Sequence, residues 1–247
     1  MRDIRIFVPE LQAETNEGTV VLPEQASVHV TRVLRMRMGD ALTVFDGRGG
    51  EYSAEIASLT KKEVRLRLGA HSPIERESPL AVTLIQGLAR GDKMDYIVQK
   101  ATELGVARVI PVVTRRGVVQ LDEARGDRKW QHWRAVAAAA CEQCGRNRLP
   151  EIVAPCSLEQ LWQSATLPSL RLLLAPHAQT GLASALISRP AELAVLIGPE
   201  GGLDPHEESR VAELGFRPTS LGPRVLRTET AGLAVLAAVQ SLAGDLQ

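Results

Sequence analysis

Two glycine-marked turns in the last quarter of the chain hold the residue types best placed to do chemistry. The first lies in LAVLIGPEGGLDPHEESRVAELG, where an apolar strand runs into a glycine-rich turn and then a helix opened by Asp204 and Pro205. Gly198, Gly201 and Gly202 carry no side chain, so backbone amides and carbonyls can approach a small ligand closely there. In an open α/β sheet, ligands sit at such strand ends. The spacing matches neither the G-x-G-x-x-G of a dinucleotide site nor the G-x-x-x-x-G-K-[ST] of a P-loop, which disfavours NAD and ATP chemistry. The second turn, in TSLGPRVLRTETAGLAVLAAVQSLAG, breaks at Gly222-Pro223 and delivers Arg224 and Arg227 just ahead of a very apolar helix. Thr228 reads as the cap of that helix, and Glu229 suits the positive end of its dipole. Each turn also has a plain structural alternative: a reversal of the chain, and a solvated helix terminus.

Other reactive residue types are sparse. Cys141 and Cys144 form a C-x-x-C at the end of an Ala-rich stretch, without a second pair or a histidine at zinc spacing, and read as reduced thiols on a helix. Three cysteines make no disulfide framework and fit a reducing compartment. The five histidines are scattered outside any H-x-x-x-H or H-E-x-x-H pattern, so no metal site is expected.

Two kinds of element must position these turns. From Arg5 to Leu68 short apolar runs (RIFV, TVVL, ALTVF, YSAEIASL, VRLRL) alternate with Gly- or charge-marked turns, which predicts a small β-rich domain interrupted by one helix from about Pro23 to Met36. HSPIERESP then sets two prolines in a polar stretch and marks a domain boundary, giving domains 1–72 and 73–247. Beyond it apolar strands alternate with longer helical segments, the pattern of an α/β domain, with helices expected over Asp92–Leu104, Asp204–Leu214 and Thr228–Leu242. Continuous apolar strands such as LAVLI suit a sheet covered on both faces.

Lys+Arg and Asp+Glu are both 29, so any nucleic-acid site must be a local patch rather than a global field. No apolar run is long enough to span a bilayer, and the first ten residues lack the layout of a signal peptide, so the expectation is a cytoplasmic protein without a membrane partner.

IGPEGGLDPHE and LGPRVLRTETA, together with DKMDYIVQKATELGV and EQCGRNRLP, resemble the motifs of the RsmE family of 16S rRNA (uracil-N3)-methyltransferases, in the SPOUT superfamily. The resemblance covers essentially the whole chain. It implies a small PUA-like, RNA-binding β-barrel over 1–72 and, over 73–247, a SPOUT α/β domain tied in a trefoil knot. It further implies methyl transfer from S-adenosyl-L-methionine to N3 of a specific uridine of 16S rRNA in the small ribosomal subunit.

On that basis the cofactor is expected among Leu174, Pro176 and His177, the turn of Gly198, Pro199, Gly201 and Gly202, and Leu221, Gly222 and Leu226. Arg224 and Arg227 are the candidates for stabilising charge on the uracil as N3 loses its proton, and Glu200 is the third catalytic candidate. Glu229 and His177 remain open beside Glu200 as proton acceptors, and guanidinium cannot be one. Gly202→Val is expected to abolish cofactor binding in a folded protein. RNA contacts are expected from Arg2, Arg5, His29, Arg32, Arg35 and Arg37, then from Arg146, Asn147 and Arg148. Arg115 and Arg116 are alternatively solvated charge or RNA contacts. The apolar last helix suits a homodimer, or burial within its own subunit. A catalytically silent RNA-binding assembly factor and a SPOUT enzyme with another RNA target are the competing functions; a scaffold would have no need of the two glycine turns.

Overall fold

The computed structural model describes residues 4–9, 11, 18–60, 63–117, 122–164 and 166–246. They fall into two units, one of residues 1–77 with 138–149, the other of 78–137 with 150–247.

The first unit is built on β1 (Arg5–Phe7), β2 (Thr19–Val21), a short helix α1 (Glu24–Val28) that continues as a π-helical turn over His29–Val33, then β3 (Ala41–Phe45), β4 (Glu51–Leu59) and β5 (Val64–Ser72). The strands form one sheet in the order β1-β3-β4-β5-β2, with β1 parallel to β3 and the other neighbours antiparallel. Period-two alternation sets its inner face: Val64 and Leu66 are buried while Arg65 and Arg67 point out, and Ala54 and Ile56 do the same on β4. These residues share one core with Ile6, Val20, Val30 and Val44.

The second unit contains β6 (Ala81–Gly87), α2 (Lys93–Glu103), β7 (Arg108–Val113), the start of α3 (Glu123–Cys144), β8 (Glu151–Ile152), β9 (Cys156–Ser157), α4 (Leu158–Ser164), β10 (Arg171–Leu174), α5 (Leu182–Ala185), β11 (Glu192–Ile197), α6 (Pro205–Glu213), β12 (Arg217–Thr219) and α7 (Thr228–Ala243). Its sheet is parallel throughout, ordered β12-β10-β11-β6-β7-β8, with β9 also beside β7. Alternate residues of one strand enter two different cores. Leu193, Val195 and Ile197 join the core that takes in Met94, Ile97, Trp133, Val235 and Val239 from α2, α3 and α7. Ala194 and Leu196 join the one containing Leu158, Leu161, Val211 and Phe216. Helical side chains therefore cover both sheet faces, and β11 has no polar residue inside its span after Glu192.

The helices at the expected sites form as their sequences direct. Asp92 and Leu104 flank α2, and Gly105 follows at φ +77°. Asp204 and Glu207 make a reciprocal capping box on α6, each side chain accepting the other's backbone N–H (2.8 and 3.0 Å). One expectation is corrected: the N-cap of α7 is Arg227, and Thr228, one residue inside the helix, does not cap it. Its hydroxyl is engaged elsewhere, as described below.

The division of the chain also differs from a single break at 72/73. It falls between residues 77 and 78, and the end of α3 and its following loop, 138–149, group with the first unit. Long-range polar contacts hold that segment there. Leu149 N–H donates to the Gly47 carbonyl (3.1 Å), Asn147 Nδ2 donates to the Ile74 carbonyl (2.7 Å), and Phe7 N–H donates to Glu142 (2.8 Å).

Candidate functional site

The carboxyl ends of β10, β11 and β12 run into the segments at 174–176, 198–202 and 221–228, which together wall a cavity of about 460 Å3. Its apolar lining comes from Leu174, Ile197, Leu221, Leu226 and Ala231. Of the ten residues expected to hold a cofactor, Leu174, Pro176, Gly198, Pro199, Gly202, Leu221, Gly222 and Leu226 line it. His177 and Gly201 do not: His177 is exposed in the turn past β10, and Gly201 abuts the Arg116 carbonyl, which a Cβ there would meet at 3.1 Å.

A Cβ on Gly202 would find open space, but its φ of +69° is left-handed and favours glycine. Gly202→Val therefore strains the backbone, and the expectation of an undisturbed fold is withdrawn. The steric requirement lies at Gly87, at the end of β6, where a Cβ would stand 2.6 Å from Pro199 N and 2.9 Å from Gly198 C. Strand end and glycine turn touch backbone to backbone there.

The three catalytic candidates all line the cavity. Arg224 and Arg227 are exposed, and among the described residues neither guanidinium has an ion-pair partner, so both keep donors for an incoming anion. Glu200 is committed. Lys93 Nζ lies 3.1 Å from Glu200 and 3.2 Å from Glu229, tying α2 to the glycine turn and to the start of α7. Burial pushes the Glu200 carboxyl up, but its own backbone N–H, the Lys93 ammonium and the Arg90 backbone outweigh it and hold it below the ordinary carboxylate value. The same two carboxylates raise the Lys93 ammonium.

Lys93 and Thr228 are the functional candidates that residue-by-residue reasoning missed. The Thr228 hydroxyl accepts from Gln86 Nε2 (2.9 Å) and donates to the Gly198 carbonyl (2.8 Å), so one side chain joins β6, the glycine turn and α7. Lys93 sits inside DKMDYIVQKATELGV, and Gln86 is a fully buried amide in a strand whose one other polar side chain is Thr83. Those are the signals that could have found them.

The expected RNA contacts divide sharply. His29, Arg32, Arg35 and Arg37 are exposed on and after the π-helical turn. Arg5, Arg146 and Asn147 are corrected, because they are buried inside the first unit. Arg5 pairs with Glu51 and Asn147 (2.5 Å each), and Arg146 with Glu77 (2.5 Å). Arg148 is half exposed and 3.4 Å from Glu75. Arg2 lies outside the described residues. Burial pushes the Cys141 thiol up to about 12, so it is not a thiolate at neutral pH. Among the described residues no group of three or more His, Cys, Asp or Glu is arranged to hold a metal. Among the described residues no helix is long and apolar enough to cross a membrane.

Residues 76–240 match the model of an RNA methyltransferase domain, and residues 22–69 that of an RNA methyltransferase PUA domain. The chain is 34% identical over 243 residues to the ribosomal RNA small subunit methyltransferase E of Bacillus subtilis, covering 95% of each. Among solved structures, a Legionella pneumophila protein in complex with the bound cofactor SAM superposes with a TM-score of 0.93 at 39% identity over the whole of both chains. The ribosomal RNA small subunit methyltransferase E of Neisseria gonorrhoeae, bound to S-adenosyl methionine, superposes at 0.88 with 34% identity, again over both whole chains. With its two glycine turns meeting at one cavity and both domain types matched in order, the chain belongs to the ribosomal RNA small subunit methyltransferase E family of RNA methyltransferases.

Proposed function

We propose that this protein transfers a methyl group from S-adenosylmethionine to N3 of a specific uridine of 16S rRNA in the small ribosomal subunit. The observation that carries this is the convergence of three strand ends on one cavity that has apolar walls, exposed backbone and two uncommitted guanidinium groups. A volume of about 460 Å3 suits a ligand of nucleoside size. The cofactor supplies an electrophilic methyl group on a sulfonium sulfur. Leu174, Leu221 and Leu226 give its adenine an apolar slot, and the backbone at 198–202 supplies polar contacts.

Methyl transfer would form the N3–carbon bond as the sulfonium carbon–sulfur bond breaks, the N3 proton would pass to solvent at the open cavity, and the negative charge left by that proton would spread onto O2 and O4. Arg224 and Arg227 stabilise that charge. Glu200 serves as a positioning residue: ionised and held by Lys93, it fixes the glycine turn against α2 and is a weak proton acceptor. The first unit acts as the RNA-binding domain, with His29, Arg32, Arg35 and Arg37 on phosphate groups and Arg148 as a further contact. The trefoil knot, a homodimer and a cytoplasmic location belong to the same reading. The exposed Tyr96, Leu242 and Leu246 support the dimer, while most of α7 is already buried within its own unit.

The test is methyl transfer from labelled S-adenosylmethionine to small ribosomal subunits and to protein-free 16S RNA, with the modified base mapped. Product at uridine N3 is expected. Product at a ribose or at another base overturns the target, and no transfer to either RNA overturns the activity.

A further inference from the structure

The second unit holds another cavity, of about 510 Å3, that none of the roles above uses. It opens where β7 ends, between the starts of α4 and α6, and its lining includes Thr114, Arg115, Trp162, His206 and Arg210. Arg115 and Arg210 are cationic, His206 carries an imidazole, Trp162 is a large aromatic, and Thr114 carries a hydroxyl. Thr114 is only 5% exposed, and among the described residues its Oγ1 is buried with no hydrogen-bond partner. A buried hydroxyl without a partner costs stability unless something else engages it.

The lining carries two carboxylates, the exposed Glu159 and the less exposed Glu207, against the guanidinium groups of Arg115 and Arg210. Arg115 is 3.5 Å from Asp204, and Arg210 spends its Nη1 on Glu213 (2.7 Å), yet both side chains are more than half exposed and each keeps further N–H donors. The Glu207 carboxylate is taken up by the backbone N–H groups of Arg115 (2.9 Å) and Asp204 (3.0 Å), which offsets its repulsion. The Trp162 indole is set edge-to-face with Phe216, centroids 5.7 Å apart, and this contact fixes the ring at the cavity wall. An aromatic ring beside guanidinium groups is the combination that takes one unpaired base with its phosphate.

The cavity also adjoins the cofactor site. The Arg116 carbonyl lies against Gly201, and Arg115 N–H is tied to Glu207, so the turn at 114–117 separates the two cavities. We propose that this second cavity is a nucleotide subsite that takes a base and phosphate of the RNA strand flanking the methylated uridine. Its assignment to RNA rests on the function proposed above.

Two variants test it. Thr114→Val keeps shape and removes only the hydroxyl, and Arg115→Ala/Arg210→Ala removes two exposed charges. The probes are a short single-stranded oligoribonucleotide, free uridine 5′-monophosphate, and small ribosomal subunits in steady-state methyl transfer. Both variants should weaken oligoribonucleotide binding and raise KM for subunits about threefold to tenfold, with kcat and S-adenosylmethionine affinity unchanged and the melting temperature not lowered. Unchanged KM and oligonucleotide affinity in both variants would overturn the subsite. Loss of mononucleotide binding alone, with KM for subunits unchanged, would overturn the RNA source in favour of a free nucleotide. Should the wild-type chain transfer no methyl group, the function above fails by itself, and the oligonucleotide titration still decides the cavity.

Discussion

Two arginines of the first unit, Arg5 and Arg146, and the two at the cofactor cavity look alike in the sequence and do opposite things in the fold. Arg5 and Arg146 are enclosed by carboxylates and an amide from far along the chain, Glu51, Glu77 and Asn147, and hold β1, β4 and the 138–149 segment together. Arg224 and Arg227 stand at the edge of a cavity without such partners among the described residues. An arginine is available to a ligand only if its own fold has not already used its donors, and the partners that decide this can lie 142 positions away.

The largest effect that would sharpen this contrast is on transfer. Arg224→Ala and Arg227→Ala should each lower kcat by roughly a hundredfold or more while the melting temperature and S-adenosylmethionine affinity hold. A comparable loss of thermal stability would break the contrast from the cavity side. From the other side, Arg146→Ala leaves the Glu77 carboxylate without its partner and should cost about 3 kcal/mol in urea unfolding, with S-adenosylmethionine affinity intact in the folded fraction. A stability change within error, with weakened RNA binding, would return Arg146 to the RNA surface.

Smaller effects follow at the glycines and the exposed patch. Gly87→Ala forces the glycine turn away from β6 and should weaken S-adenosylmethionine roughly tenfold or more in calorimetric titration, because the displaced atoms are backbone. Arg32→Ala should raise KM for RNA a fewfold and reduce the salt slope of binding by about one. An unchanged slope would remove Arg32 from the phosphate contacts.

The smallest effect is a pH dependence. Burial raises the Glu51 carboxyl, but Arg5, Arg76 and Asn147 outweigh it and leave it below its ordinary value. A carboxyl lowered on folding adds stability above its unfolded value of 4.5, and that stability is lost as the pH falls through the folded value. Glu51→Gln should therefore be less stable than wild type at neutral pH, with the gap closing as the pH falls below the unfolded value of 4.5 in urea titrations. A gap independent of pH would point to shape rather than charge.

The sequence is most legible where contacts are local. The strands VRLRL and LAVLI and the helix after Asp204 form where alternation, continuous apolarity and the capping pair direct, because neighbours along the chain determine each. The cavity walls at 174–176, 198–202 and 221–226 follow from the family motifs rather than from periodicity. What stayed hidden depends on distant partners: the return of 138–149 to the first unit, the Lys93 bridge, the hydroxyl of Thr228 and the steric need for Gly87. Thr228 shows the limit well, since its position suits a cap until Gly198 and Gln86 are seen beside it.

The central claim is that the cavity at the ends of β10, β11 and β12 holds the methyl donor beside Arg224 and Arg227, and crystals grown with S-adenosylmethionine test it most directly. Density for adenine between Leu174, Leu221 and Leu226, with the sulfonium methyl facing the two arginines, is the predicted result. Density for the cofactor in the cavity lined by Thr114 and Trp162, or at another place on the chain, would contradict it.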